Sequence, residues 1–175
     1  ELDFVCAGLV ASEADDVMVG LILVGGAAGQ QKPVCAGHTR GRLYTPHQGG
    51  RDIFVARYSG GSVDNREVGK QYGSGSDDVV TAIVAGSDGG IYVAGYTLGN
   101  LYLDWEPAVE PDEKPGGWDG FVMKLDAELA WVWTQMLGTE YDEYVHSMVF
   151  LPGSTPEVDG DLLVAGSTFT FWPEA

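Results

Sequence analysis

Apolar positions in this chain come in short runs, each bounded by Gly, Asp or Pro, and the clearest series spans residues 77–138. It opens with Asp77-Asp78-Val79-Val80 and passes through Ile91-Tyr92-Val93-Ala94-Gly95-Tyr96-Thr97. It continues with Gly116-Gly117-Trp118-Asp119-Gly120-Phe121-Val122 and closes on Trp131-Val132-Trp133. Four such runs predict four antiparallel strands. Residues 79–84 and 91–93 are nearly continuous in apolar residues, as expected of inner strands covered on both faces. Phe121, Met123 and Leu125 alternate with Val122 and Lys124, which marks a more amphipathic third strand. Trp131 and Trp133 are expected on one face of the outer strand.

The same words recur along the chain. Gly49-Gly50-Arg51-Asp52-Ile53-Phe54-Val55 answers Gly116-Gly117-Trp118-Asp119-Gly120-Phe121-Val122, and Ala36-Gly37-His38-Thr39 answers Ala94-Gly95-Tyr96-Thr97. The offsets are 119 − 52 = 67 and 94 − 36 = 58, so the second unit carries 67 − 58 = 9 extra residues, placed within 103–115. In the first unit strands are predicted over 17–24, 34–39 and 52–58, with a weak fourth within 67–72. A third unit starts at Asp142-Glu143-Tyr144-Val145 and runs through Leu162-Leu163-Val164-Ala165-Gly166-Ser167-Thr168.

Repeats of this period with four strands each predict an all-β fold of four-stranded antiparallel blades of a β-propeller. Residues 1–11 read as the outer strand of a preceding blade. Residues 12–76 read as one blade, 77–141 as a second with the insertion 103–115, and 142–175 as the start of a further one. A ring needs roughly four to eight blades, so the visible chain is expected to be part of one. Its end faces are then covered by other parts of the same polypeptide or by neighbouring copies in an assembly.

The combination Asp-Asp-Val, a Gly turn, Tyr-Val-Ala-Gly-Tyr-Thr, then Gly-Gly-x-Asp-x-Phe-Val-x-Lys-Leu and Trp-x-Trp resembles the SBBP repeat of seven-bladed β-propellers. The resemblance covers nearly the whole chain and is strongest over residues 77–137. It departs in the first unit, where Asp64-Asn65-Arg66 stands in place of the tryptophan pair. It implies a secreted or cell-surface setting, and it transfers no catalytic residues.

Charge narrows the partners. With 26 acidic against 9 basic residues the formal charge is −17, which disfavours nucleic acid and anionic membranes and favours cations. The apolar run over 17–24 ends at Gly25-Gly26, well short of the roughly 18 residues a membrane-spanning helix needs, so membrane insertion is not expected. The chain lacks a start methionine and a signal peptide, which reads as a mature or partial chain.

The repeated Asp52 and Asp119 follow Gly-Gly and precede a strand, where a carboxylate accepts from backbone N–H groups of the turn. Recurrence in each unit argues for a structural role over catalysis. The pairs Asp15-Asp16, Asp77-Asp78 and Asp142-Glu143 fall under the same reading. Calcium, which takes six to eight oxygens, is a lesser alternative because no twelve-residue calcium loop is present; no other cofactor is indicated. Cys6 and Cys35 are either two buried small hydrophobes or a disulfide. The insertion holds Asp104, Trp105, Glu106, Glu110, Asp112 and Glu113 with three prolines. Trp105, Glu106, Glu110, Asp112, Glu113 and Trp172, which stands in the corresponding connection of the third unit, are the candidate binding residues.

No zinc spacing links His38, His47 and His146, and there is no nucleophile elbow or phosphate loop. The reading that follows is a non-enzymatic extracellular scaffold or adhesion module, such as a subunit of a surface filament or matrix. The runner-up is a carbohydrate-binding propeller that takes glycans on its aromatic edge loops, and the third is a propeller glycosidase or lyase.

Overall fold

The computed structural model describes residues 15–25, 31–44, 47–59, 66–101, 116–153 and 160–169. Among them are ten strands and no helix. The first sheet is β1 (Asp16–Val24), β2 (Lys32–Thr39), β3 (Asp52–Tyr58) and β4 (Arg66–Tyr72). The second is β5 (Asp78–Ala85), β6 (Ile91–Thr97), β7 (Asp119–Leu125) and β8 (Trp131–Leu137). The third pairs β9 (Glu143–Leu151) with β10 (Asp161–Thr168). The described residues are therefore all-β, with antiparallel sheets of four, four and two strands in chain order. The strand expected within 1–11 and the insertion 103–115 lie outside the described residues.

Tight turns join the strands where the sequence places Gly and Asp. Between β5 and β6, Asp88 Oδ1 accepts from Gly90 N at 2.9 Å, and Gly89 adopts a positive φ of 78°. Between β7 and β8, Asp126 Oδ1 accepts from Glu128 N and Ala130 N, both at 2.8 Å. Such side-chain acceptors stand in for a backbone partner and fix a short turn.

A β-bulge recurs in the first strand of every sheet. The register against the second strand shifts at Val19 in β1, at Thr81 in β5 and at His146 in β9. Opposite each bulge stands a glycine, Gly37, Gly95 or Gly166, whose added Cβ would overlap the carbonyl oxygen of Val17, Val79 or Tyr144. The Ala-Gly pair in each second strand is thus a steric consequence of the bulge.

The outer strand corrects one expectation. A further bulge shifts the β7–β8 register between Lys124 and Leu125, so Leu125 pairs with Trp131 and Lys124 with Trp133. Trp131 then packs on the core between the first two sheets, while Trp133 meets Tyr92 edge-on at 6.1 Å, on the side of the third sheet. The two tryptophans sit on opposite faces because one inserted residue inverts the alternation.

The sheets stack in chain order. β5 lies across β1, β2 and β3, and β9 lies across β5, β6 and β7. Val34, Ala36, Ile53 and Val55 of the first sheet meet Val80, Val93, Phe121 and Met123 of the second in one core. The opposite face of the second sheet, Tyr92, Ala94 and Val122, packs on Val145 and Met148 of β9. Cys35, Ala56 and Tyr58 lie on the first sheet's other face with Tyr44 against them. Arg57 of β3 bridges the first two sheets, its Nη2 donating to Glu128 Oε2 at 2.9 Å and its Nη1 to the carbonyl of Ala127.

Candidate functional site

The repeated acids gather at one end of the stack, where each does a defined mechanical job. The residue that opens each first strand pairs with the threonine that closes the second: Asp16 with Thr39, Asp78 with Thr97, Glu143 with Thr168. In all three the threonine hydroxyl donates to the acid, at 2.5 Å for Thr97 and 2.9 Å for Thr168. The same hydroxyl accepts from the backbone two residues on, Gly41 N to Thr39 and Gly99 N to Thr97, each at 2.8 Å. Four residues before the acid a hydroxyl residue completes the set, with Ser74 N donating to Asp78 Oδ2 and Thr139 N to Glu143 Oε2, both at 2.7 Å.

The preceding acid reaches the other way, into the neighbouring sheet. Asp77 Oδ1 accepts from Arg51 N at 2.8 Å and Asp142 Oδ1 from Trp118 N at 2.9 Å, just before the third strand of the sheet behind. Main-chain bonds flank both clamps: Asp78 N donates to Arg51 O at 2.7 Å and Glu143 N to Trp118 O at 2.6 Å. A Cβ on Gly50 or Gly117 would collide with the clamping carboxylate, which accounts for the second glycine of each Gly-Gly. Asp52, fully buried at the start of β3, takes Gln48 N at 3.0 Å, His47 Nδ1–H at 3.1 Å and Gln71 Nε2 at 2.7 Å on one oxygen. Asp119, at the same position of β7, is also buried, and Gly138 closes over it as Gly73 does over Asp52.

Burial pushes the Asp78 carboxyl up to about 6, against the pull of its Thr97 and Ser74 donors. A folded value above the usual 3.8 means that the native state holds the proton more tightly between pH 4 and 6. The stability this contributes is present at low pH and is lost as pH rises through about 6, by roughly 1–3 kcal/mol. His38 opposes it: burial, then the Arg51 cation, hold its imidazole below 6.5, so its contribution is lost as pH falls through 6.5. Asp78→Asn is therefore expected to flatten the loss of stability between pH 4 and 6, because an amide can keep Ser74 N and release the Thr97 hydroxyl to Gly99 O, 3.3 Å away. Thermal melts of wild type, Asp78→Asn and His38→Gln across this range check it, and a wild-type slope in Asp78→Asn would refute it.

The other sequence-based candidates fall differently. Trp105, Glu106, Glu110, Asp112, Glu113, Trp172 and Cys6 lie outside the described residues. Cys35 is fully buried and disulfide-bonded. Among the described residues no group of three or more His, Cys, Asp or Glu is placed to hold a metal ion, and no helix is long and apolar enough to cross a membrane.

One feature of this end was not read from the sequence. Tyr96, Trp118 and Tyr144 form an aromatic cluster between the second and third sheets, with centroids 5.1 Å apart for Tyr96–Trp118 and 4.9 Å for Tyr96–Tyr144, both edge to face. Phe169 extends it at 6.2 Å from Tyr144, and His146 stacks parallel to Tyr144 at 6.4 Å. The positions that correspond between the first two sheets are His38, Arg51, Val79 and Leu98. That change of residue type across an otherwise repeated frame is the signal that could have found it. The rings close on one another, and Phe169, 66% exposed, is the part that offers a surface. Such a rim can stack on a sugar or another aromatic group. No protein-family model matches the chain, and no curated protein matches it.

Proposed function

We infer that the chain is a run of β-propeller blades of the SBBP type, serving as a non-enzymatic scaffold or adhesion module of an extracellular or cell-surface assembly. The observation that carries this reading is the use of the repeated acids. Asp77 and Asp142 are engaged in clamping one sheet to the next, and Asp16, Asp78 and Glu143 in locking the edge of their own. Carboxylates held in this way at equivalent positions are parts of a repeat, whereas a glycosidase or lyase needs a pair free to meet substrate. Apolar surface supports assembly: Leu21 and Leu23 on β1 and Val149, Leu151 and Leu163 on the third sheet are exposed. Stacked repeats bury such faces against further units, supplied by the same polypeptide or by neighbouring copies as in a filament or matrix.

Carbohydrate binding is the second reading, favoured by the Tyr96–Trp118–Tyr144–Phe169 rim. A glycan array probed with the intact chain and with Trp105→Ala and Phe169→Ala decides between them. The scaffold reading expects no saturable glycan signal from any of the three. Saturable binding that either substitution abolishes would replace it with the carbohydrate reading and show which aromatic carries the contact.

A further inference from the structure

The two junctions between sheets share one clamp and differ in what surrounds it. At the first, Asp77 Oδ1 accepts from Arg51 N at 2.8 Å and Asp77 Oδ2 from Arg51 Nη1 at 3.3 Å. Beside them Gly50 N donates to Ser76 O at 2.9 Å and Asp78 N to Arg51 O at 2.7 Å. At the second, Trp118 N makes the same bond to Asp142 among the rings of Tyr96, Trp118 and Tyr144. His38 stands at the first junction where Tyr96 stands at the second, each one residue before the threonine that closes the strand, and Arg51 stands where Trp118 does. One junction is built around rings that stay neutral in acid, the other around a group that takes up a proton near neutrality.

His38 is 8% exposed, and its Nδ1 has no hydrogen-bond partner among the described residues. A neutral imidazole leaves only a lone pair unused there. A protonated ring carries a donor on each nitrogen, and a buried charged donor without an acceptor is costly. The Val80 carbonyl of β5 is the backbone acceptor that acts on the ring, Arg51 the cation that faces it and Asp77 the carboxylate. Both oxygens of Asp77 are already held by Arg51. The other charged groups on the strands packed against β2 have partners of their own. Asp16 of β1 binds Thr39, and Asp52 of β3 binds Gln48, His47 and Gln71. Arg57 of β3 reaches Glu67 and Glu128, and Asp78 of β5 is held by Ser74 and Thr97. A protonated His38 therefore gains a second acceptor only by taking the carboxylate that ties the two sheets together.

We propose that the first junction is an acid-operated hinge: proton uptake by His38 draws Asp77 from Arg51 and loosens the second sheet from the first, while the ring-lined second junction stays closed. This goes beyond the scaffold reading and does not depend on it. Asp78 takes up its own proton in mild acid, but it is bonded within its own sheet and shifts stability the opposite way. A melt of the whole chain therefore hides part of the opening, and a local measurement reveals it.

The test is amide hydrogen exchange on the intact chain at about pH 7.5 and about pH 5, each rate divided by the intrinsic rate at that pH. The amides of Gly50, Arg51 and Asp78 report the first junction, and those of Trp118 and Glu143 the second. Protection of the first set is expected to fall about tenfold or more in acid, with the second set unchanged within about twofold. His38→Gln, which takes up no proton, is expected to keep the first set protected at both values. Arg51→Gln retains the backbone clamp, removes the opposing cation and frees one Asp77 oxygen for His38, so the fall is expected to shrink; this variant decides the matter if His38→Gln does not fold. No fall in the first set, an equal fall in both sets, or a full wild-type fall in either variant would overturn the proposal.

Discussion

Gly95→Ala is expected to destabilise the protein by about 3 kcal/mol or more, because the methyl group has no room and the obstacle is backbone. An added Cβ overlaps the carbonyl oxygen of Val79, with the Val79 carbonyl carbon 2.9 Å away and Val80 Cα 3.0 Å away. Relief requires the β5 bulge to move, and β5 is the strand through which the second sheet packs on the first. Gly37→Ala meets the carbonyl of Val17 in the same way and is expected to behave alike. Gly75→Ala is the control, since nothing lies within 4 Å of its added Cβ; its effect is expected within about 0.5 kcal/mol. For a chain of this size the clashing substitutions translate into a loss of about 6–12 °C in Tm. Melts of the three variants check this, and a Gly95→Ala protein as stable as the Gly75→Ala control would show that the bulges are not rigid.

The strands were legible because their pattern is local. Residues 52–58 and 91–97 form strands over the expected span, and the weak run at 67–72 forms β4 beginning one residue earlier, at Arg66. Punctuation by Gly and Asp marked most boundaries. Bulges were not legible, since one extra residue leaves composition and spacing almost unchanged while inverting every later side chain. This is why Trp131 and Trp133, two residues apart in a strand, face different sheets. The Asp-Asp pairs were recognised as turn residues, but their division of labour was not. Whether Asp77 serves the sheet behind and Asp78 its own depends on contacts 26 and 19 residues away, which no local pattern encodes.

The aromatic cluster was hidden for a related reason. Tyr96 and Trp118 each sit inside a repeated word and so read as part of the repeat, while Tyr144 and Phe169 belong to the next unit. Only the stacking of β9 across β5, β6 and β7 brings them together. Function in such a frame resides in the positions where units differ, and the frame itself is maintained by those where they agree. Thr81 shows how closely the two are interleaved: it is the bulge residue of β5, and its hydroxyl donates to Val145 O of the third sheet at 2.7 Å, so its replacement would loosen the floor on which Tyr144 stands.

Reduction of the disulfide is expected to cost about 3–4 kcal/mol of stability. Cys35 is fully buried on the face of β2 that points away from the second sheet, with Ala56 and Tyr58 as its neighbours, and it is disulfide-bonded. Cys6 is the only other cysteine in the chain. The expected bond, Cys6 to Cys35, closes a loop of 35 − 6 = 29 residues, and the chain-entropy account of such a loop gives the stated cost. Denaturant unfolding with and without reductant reads it, and Cys6→Ser, which leaves Cys35 itself unchanged, is expected to match the reduced protein. Mass spectrometry of the unreduced chain after proteolysis is expected to find the Cys6 and Cys35 peptides joined within a monomer. A covalent dimer on a non-reducing gel would mean that the bond links two copies, and the stability lost on reduction would then depend on protein concentration. An intramolecular bond of this strength persists in oxidising compartments and not in a reducing cytosol, so the same measurement bears on the extracellular setting proposed for the chain.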